Sequence, residues 1–127
     1  MLSIGGASTN AGGAPFANAE TVMITGQLVS VPKDSVFCVI IAQVQMVLDA
    51  SVTAMHLRLR RGGATGTVVQ DQTSATVTGG QNALLTFMGN DIISGLAQVQ
   101  YTLSAQGVGA VGNNAPSLAN IAYIFLQ

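Results

Sequence analysis

Residues 52–63 read V-T-A-M-H-L-R-L-R-R-G-G, and their alternation decides the fold. Thr53, Met55, Leu57 and Leu59 fall on one side of a period-two pattern, with His56, Arg58 and Arg60 on the other. Successive residues of a strand point to opposite faces. The stretch is therefore expected to be a strand with its apolar side on a core and its basic side on water or a polar interface. It also holds three of the four basic residues and the only histidine, so any active site would be sought here first.

The neighbouring segments carry the same texture. Upstream, residues 20–31 are β-branched, break at Gly26 and end on the turn signal Pro32-Lys33-Asp34. Residues 36–48 follow, with Ala42, Val44 and Met46 on one face, Gln43 and Gln45 on the other, and a first half apolar on both sides. Downstream, strands are expected at 67–70, 73–78, 83–88 and 97–105, with turns at Gly79-Gly80 and Gly89-Asn90-Asp91 and a single helical turn near Ile92. In residues 97–105, Ala97, Val99, Tyr101 and Leu103 are assigned inward. Residues 107–116 read as a loop. Residues 117–127 fit a helical stripe as well, but Ile121, Tyr123, Ile124 and Phe125 favour a strand that needs cover on both faces.

Eight short strands, evenly spaced turns and no useful amphipathic helix point to an all-β, antiparallel β-sandwich, with a jelly roll as the first topology. An immunoglobulin-like sandwich is second, because its cysteine pair and tryptophan are missing. Residues 1–19 are small and polar, with isolated apolar groups at Leu2, Ile4 and Phe16. They are expected to form a glycine-rich N-terminal arm, flexible or docked on a partner. Residues 20–127 are expected to be the sandwich domain.

Composition narrows the function. Charged residues are 7% of the 127 and the net charge is −1, which leaves no basic excess for neutralising nucleic-acid phosphates. The longest apolar run, residues 36–42, falls short of the roughly 20 residues that a membrane-spanning helix needs. The first residues lack the pattern of a signal peptide, and Cys38 has no partner within the chain. Folding in a cytoplasm fits these features.

No constellation of catalytic residues emerges. Gly107-Val-Gly109-Ala-Val-Gly112 matches a dinucleotide-binding loop, but Asn113-Asn114-Ala115-Pro116 follows where a helix should begin, and no acid occurs after Asp91. His56 has no serine elbow to serve. One histidine and one cysteine cannot supply the ligands of a zinc site. No enzyme activity, cofactor or metal is expected. Arg58, Arg60 and Arg61 read as a solvated face balanced by Asp49 and Asp71, as ion-pair donors to a partner subunit or protein, or, last, as a contact to nucleic acid. The scarcity of charge and the two apolar faces of the last segment imply self-association.

The strings L-R-L-R-R-G at 57–62, G-T-V-V at 66–69, G-G-Q-N-A-L-L-T-F at 79–87, A-Q-V-Q-Y-T-L at 97–103 and A-Y-I-F-L at 122–126 resemble the trimeric jelly rolls of the tumour-necrosis-factor and C1q-like type. The likeness is strongest to versions found in phage-head decoration and other virion structural proteins. It implies a homotrimeric capsid decoration (cement) protein, assembled in the host cytoplasm and bound to the major capsid protein or other virion proteins on the virion surface. It places the last strand near a three-fold axis, with Ala122, Tyr123, Ile124, Phe125 and Leu126 as interface candidates. Arg58, Arg60, Arg61 and Phe16 are the candidates for contacting a partner. The alternative function is a receptor- or glycan-binding head that uses the loops at 62–66 and 107–116.

Overall fold

The computed structural model describes residues 2–74, 79–109 and 112–127. Its strands are β1 (Leu2–Ala11), β2 (Thr21–Thr25), β3 (Val29–Ser30), β4 (Phe37–Val47), β5 (Ala54–Arg61), β6 (Thr67–Ser74), β7 (Asn82–Ile92), β8 (Gln98–Val99), β9 (Tyr101–Val108) and β10 (Ala115–Leu126). One four-stranded sheet has the order β1-β10-β4-β7, the other β2-β9-β5-β6, and β3 pairs with β8 as a small appendage. All pairings are antiparallel. The nested pairing of β1 with β10, β2 with β9, β4 with β7 and β5 with β6 is a jelly roll.

The core lies between the two sheets. Met55, Leu57 and Leu59 enter it from β5, as their alternation predicts, and Ile40, Ala42, Val44 and Met46 enter from β4. Tyr101 of β9 and Tyr123 of β10 meet edge to face, with ring centroids 5.0 Å apart, a contact worth about 1 kcal/mol beyond the burial itself. The Tyr123 hydroxyl accepts from the Tyr101 amide at 3.0 Å and fills the space beside Gly26, where a Cβ would lie 2.0 Å from it. That close approach explains why residue 26 is a glycine.

The expected strand at 97–105 is divided at Gln100 between β8 and β9, and three larger differences follow. Residues 2–11 do not form a free arm: they are β1, paired with β10 from Leu2↔Leu126 to Ala11↔Leu118. Gly5 and Gly6 suit this place, because the β10 aromatics occupy the room. A Cβ on Gly5 would sit 1.9 Å from the Phe125 ring. The segment after β1 is also fixed, since Phe16 and Asn114 exchange backbone hydrogen bonds of 3.1 and 2.7 Å and the Asn114 side-chain amide donates to the Phe16 carbonyl at 3.0 Å.

Second, residues 67–70 and 73–74 belong to one strand, β6, while the rest of the expected strand at 73–78 lies outside the described residues. Third, β7 runs through Gly89-Asn90-Asp91 without a turn. Gly89 is a close approach, its absent Cβ position lying 2.9 Å from Phe87 and 3.1 Å from Leu59. The chain turns after Ile92, where the Leu96 amide donates to the Ile93 carbonyl at 3.0 Å.

Candidate interaction surfaces

The two outer faces of the sandwich differ in chemistry. On β5, the side chains opposite the core form a ladder with carboxylates brought in from elsewhere. His56 pairs with Asp71 of β6. Arg58 bridges Asp71, with Nε 3.1 Å from Oδ2, and Glu20. Arg60 holds Glu20 with Nε 2.9 Å from Oε2 and Nη2 3.0 Å from Oε1, and Nη1 donates to the Gly66 carbonyl at 2.7 Å. The hydrogen bonds from Arg60 and then Arg58 hold the Glu20 carboxyl at about 2, well below the ordinary 4.5. The ladder covers Thr102 and Ser104 of β9, which point away from the core and are nevertheless buried.

Arg61 belongs to a different group. Its Nε donates to Asp91 Oδ2 at 2.7 Å, and the buried Tyr101 hydroxyl donates to the same oxygen at 2.8 Å. Burial, then the bond to Asp91, pushes the Tyr101 phenol upward. Cys38 is fully buried, and desolvation raises its thiol to about 11, so the thiolate is scarce at neutral pH.

The outer face of β1-β10-β4-β7 is the opposite case. These four strands contain one charged residue, Asp91, and it is 7% exposed because it points inward. Leu84, Met88 and Ile92 project outward from β7 at 63%, 62% and 65% exposure, beside Phe37 and Val47 of β4. Ile41, Ala122, Ile124 and Leu126 are half-buried on the same face. Exposed large apolar side chains gathered on one uncharged face mark a contact site.

The residues singled out from the sequence are thus divided. Ala122, Ile124 and Leu126 lie on the outer face. Tyr123 and Phe125, each 1% exposed, face the core, which needs their volume, and so are unavailable as axial contacts between copies. Phe16, expected to touch a partner, is 3% exposed in the chain's own core. Arg58 and Arg60 are held by Glu20 and Asp71, and Arg61 by Asp91, rather than by Asp49. The outward set Leu84, Met88 and Ile92 is hard to read from the sequence, because Leu85 and Phe87 make β7 apolar on both faces and Gly89 conceals its length. Among the described residues, no group of three or more His, Cys, Asp or Glu is placed to hold a metal ion.

No family model matches the sequence, and neither does any curated protein. Among solved structures, the VP2 subviral particle of infectious bursal disease virus aligns over 100% of this chain and 32% of its own, at 9% identity and a TM-score of 0.52. The Gx strain of the same virus aligns over 99% of this chain and 31% of its own, at 10% identity and a TM-score of 0.51. In fold, the chain is similar to part of a virus-particle protein. It spans about a third of the length of those viral chains, and at such identities the likeness establishes the fold alone. A structure of Bacillus endospore appendages, described as disulfide-linked pili, aligns over 100% of this chain and 88% of its own at 17% identity and a TM-score of 0.43.

Proposed function

We propose that this chain is a non-enzymatic structural subunit of a virion, in its specific form a decoration (cement) protein that binds the capsid of a phage head and strengthens it. The observation that carries the reading is the charge-free outer face of β1-β10-β4-β7, which exposes Leu84, Met88 and Ile92 at more than 60% each. Such a face gains by burial against protein, at roughly 25 cal/mol per Å² of apolar surface. It has no charge to desolvate in doing so. The fold shared with the VP2 particle protein supports a shell-forming role. The arginines and His56 are engaged by the chain's own carboxylates, which supports a scaffold over a site of chemistry. The proposal carries no copy number, since two of the residues that the resemblance placed on a three-fold axis face the core.

The test is co-sedimentation with particles in a density gradient, with the copy number read from the ratio to capsid protein. A fixed stoichiometry, and particles that withstand more heat with the protein than without it, are the expected results. Protein that remains at the top of the gradient beside every particle fraction would overturn the reading.

A further inference from the structure

The register of the four-stranded sheet arranges its outer face in rows across the strands. One row reads Thr9, Asn120, Gln43, Thr86 from β1 through β10 and β4 to β7. Its chemistry is the same from either end: hydroxyl, amide, amide, hydroxyl. The next row reads Ala7, Ala122, Ile41, Met88, small on the β1 side and large on the β7 side. The small half is hollow, and a depression of about 410 Å³ lies over Ala7, Thr9, Asn120 and Ala122 and reaches Ile41 and Gln43. Met88, on the opposite edge, stands 62% exposed.

From this pattern we infer that the face is a two-fold contact between two copies of the chain, with the axis running along the strands between β10 and β4. This rests on the reading of the chain as a structural subunit and gives its uncharged face to a second copy, which leaves contact with a capsid to the rest of the dimer's surface. Rotation about that axis sets each row against itself in reverse. Gln43 meets the partner's Asn120, and Thr86 meets the partner's Thr9. Each of these pairs joins a donor to an acceptor, because amides and hydroxyls carry both. In the next row Ile41 covers the partner's Ala122, and Met88 enters the partner's depression over Ala7. Farther along, Val39 faces the partner's Ile124 and Phe37 the partner's Leu126. A two-fold contact requires such self-complementarity, and a face with no charge avoids setting like charges against each other.

The area also fits. Four strands about 4.8 Å apart and eleven residues long at about 3.4 Å per residue cover roughly 700 Å², close to the ~800 Å² per partner of a standard stable interface. Two sheets packed face to face lie about 10 Å apart, a gap that a methionine opposite an alanine can fill.

The experiment uses the full chain carrying Met88→Cys and Ala7→Cys. Within one chain these positions lie on the two edges of the sheet, roughly 14 Å apart, beyond the reach of a disulfide. Across the proposed axis they face each other. Mild oxidation should convert most of the double variant to a covalent dimer on a non-reducing gel, while each single variant stays monomeric there. Equal cross-linking of a single variant, or none in the double, overturns the inference. Light scattering on the unmodified protein should give even numbers of copies, and Met88→Lys should raise the dissociation constant by about 100-fold with an unchanged circular-dichroism spectrum. A trimer indifferent to Met88→Lys would sink the two-fold contact and leave self-assembly standing. A monomer that also fails to bind particles would sink both.

Discussion

The hydroxyl of Tyr101 in β9 donates to Asp91 Oδ2 in β7 at 2.8 Å, joining the two sheets through the only carboxylate of the apolar one. Arg61 of β5 closes on the same carboxylate, so an ion pair and a phenol share one buried anchor. Tyr101→Phe leaves the pair intact and should cost about 1–2 kcal/mol in urea denaturation. Asp91→Ala removes the acceptor of the buried phenol and the partner of Arg61, which is 35% exposed and can turn to water, and should cost about 2–3 kcal/mol. Equal losses in the two variants would show that the carboxylate has no role beyond accepting the phenol.

Acid should reveal the ladder. Glu20 titrates at about 2 in the folded chain against an ordinary 4.5, so its pairing contributes fully above 4.5 and is lost as the pH falls toward 2. Because the group is partly exposed, solvent screening reduces the effect to about 1 kcal/mol. Glu20→Gln should therefore lower stability at pH 7 by about that amount and flatten the stability curve between pH 5 and 2. A variant whose curve runs parallel to that of the unmodified protein would remove Glu20 from the acid response.

Two glycines give opposite expectations. At Gly26 a methyl group would fall 2.0 Å from the Tyr123 hydroxyl, whereas Gly63 has nothing within 4 Å. Gly26→Ala should destabilise by about 2 kcal/mol or more through overpacking, and Gly63→Ala should be neutral or gain a few tenths. Thermal midpoints of the two variants check this, and a larger loss at Gly63 would contradict the packing described.

Cys38 is a thiol without access. Burial raises its pKa to about 11, and the side chain is fully enclosed. Ellman's reagent should leave it untouched at pH 8 in the folded protein and titrate one thiol per chain in denaturant. Rapid reaction in the native state would mean that this end of the sandwich opens.

Much of the fold was legible in local alternation, and what was missed has a physical reason. Met55, Leu57 and Leu59 declare β5 because a half-buried strand needs that period. In β10 the alternation separates Tyr123 and Phe125 from Ala122, Ile124 and Leu126, but alternation alone does not say which set faces the core. The larger set goes inside, where a two-layer core has volume to fill. The N-terminal strand is illegible because Gly5 and Gly6 carry none of the usual strand preference; β1 is held by its ladder to β10 and by the ring of Phe125. Glu20 and Asp91 were invisible as partners of the arginines, since only the assembled sheets bring residues 20 and 91 to residues 58–61.

Sheet order and chain order run against each other at one place. Strand β10 sits between β1 and β4, so the sheet has an empty slot until residues 115–126 have been made. Before then β1 has no strand to pair with in its sheet, and β4 can pair only with β7. Contacts that span almost the full sequence, such as Leu2 with Leu126, make folding slow. They also expose a charge-free sheet edge to its neighbours during synthesis, at the stage when aggregation competes with folding. The entry of β10 into its slot is the step expected to limit folding.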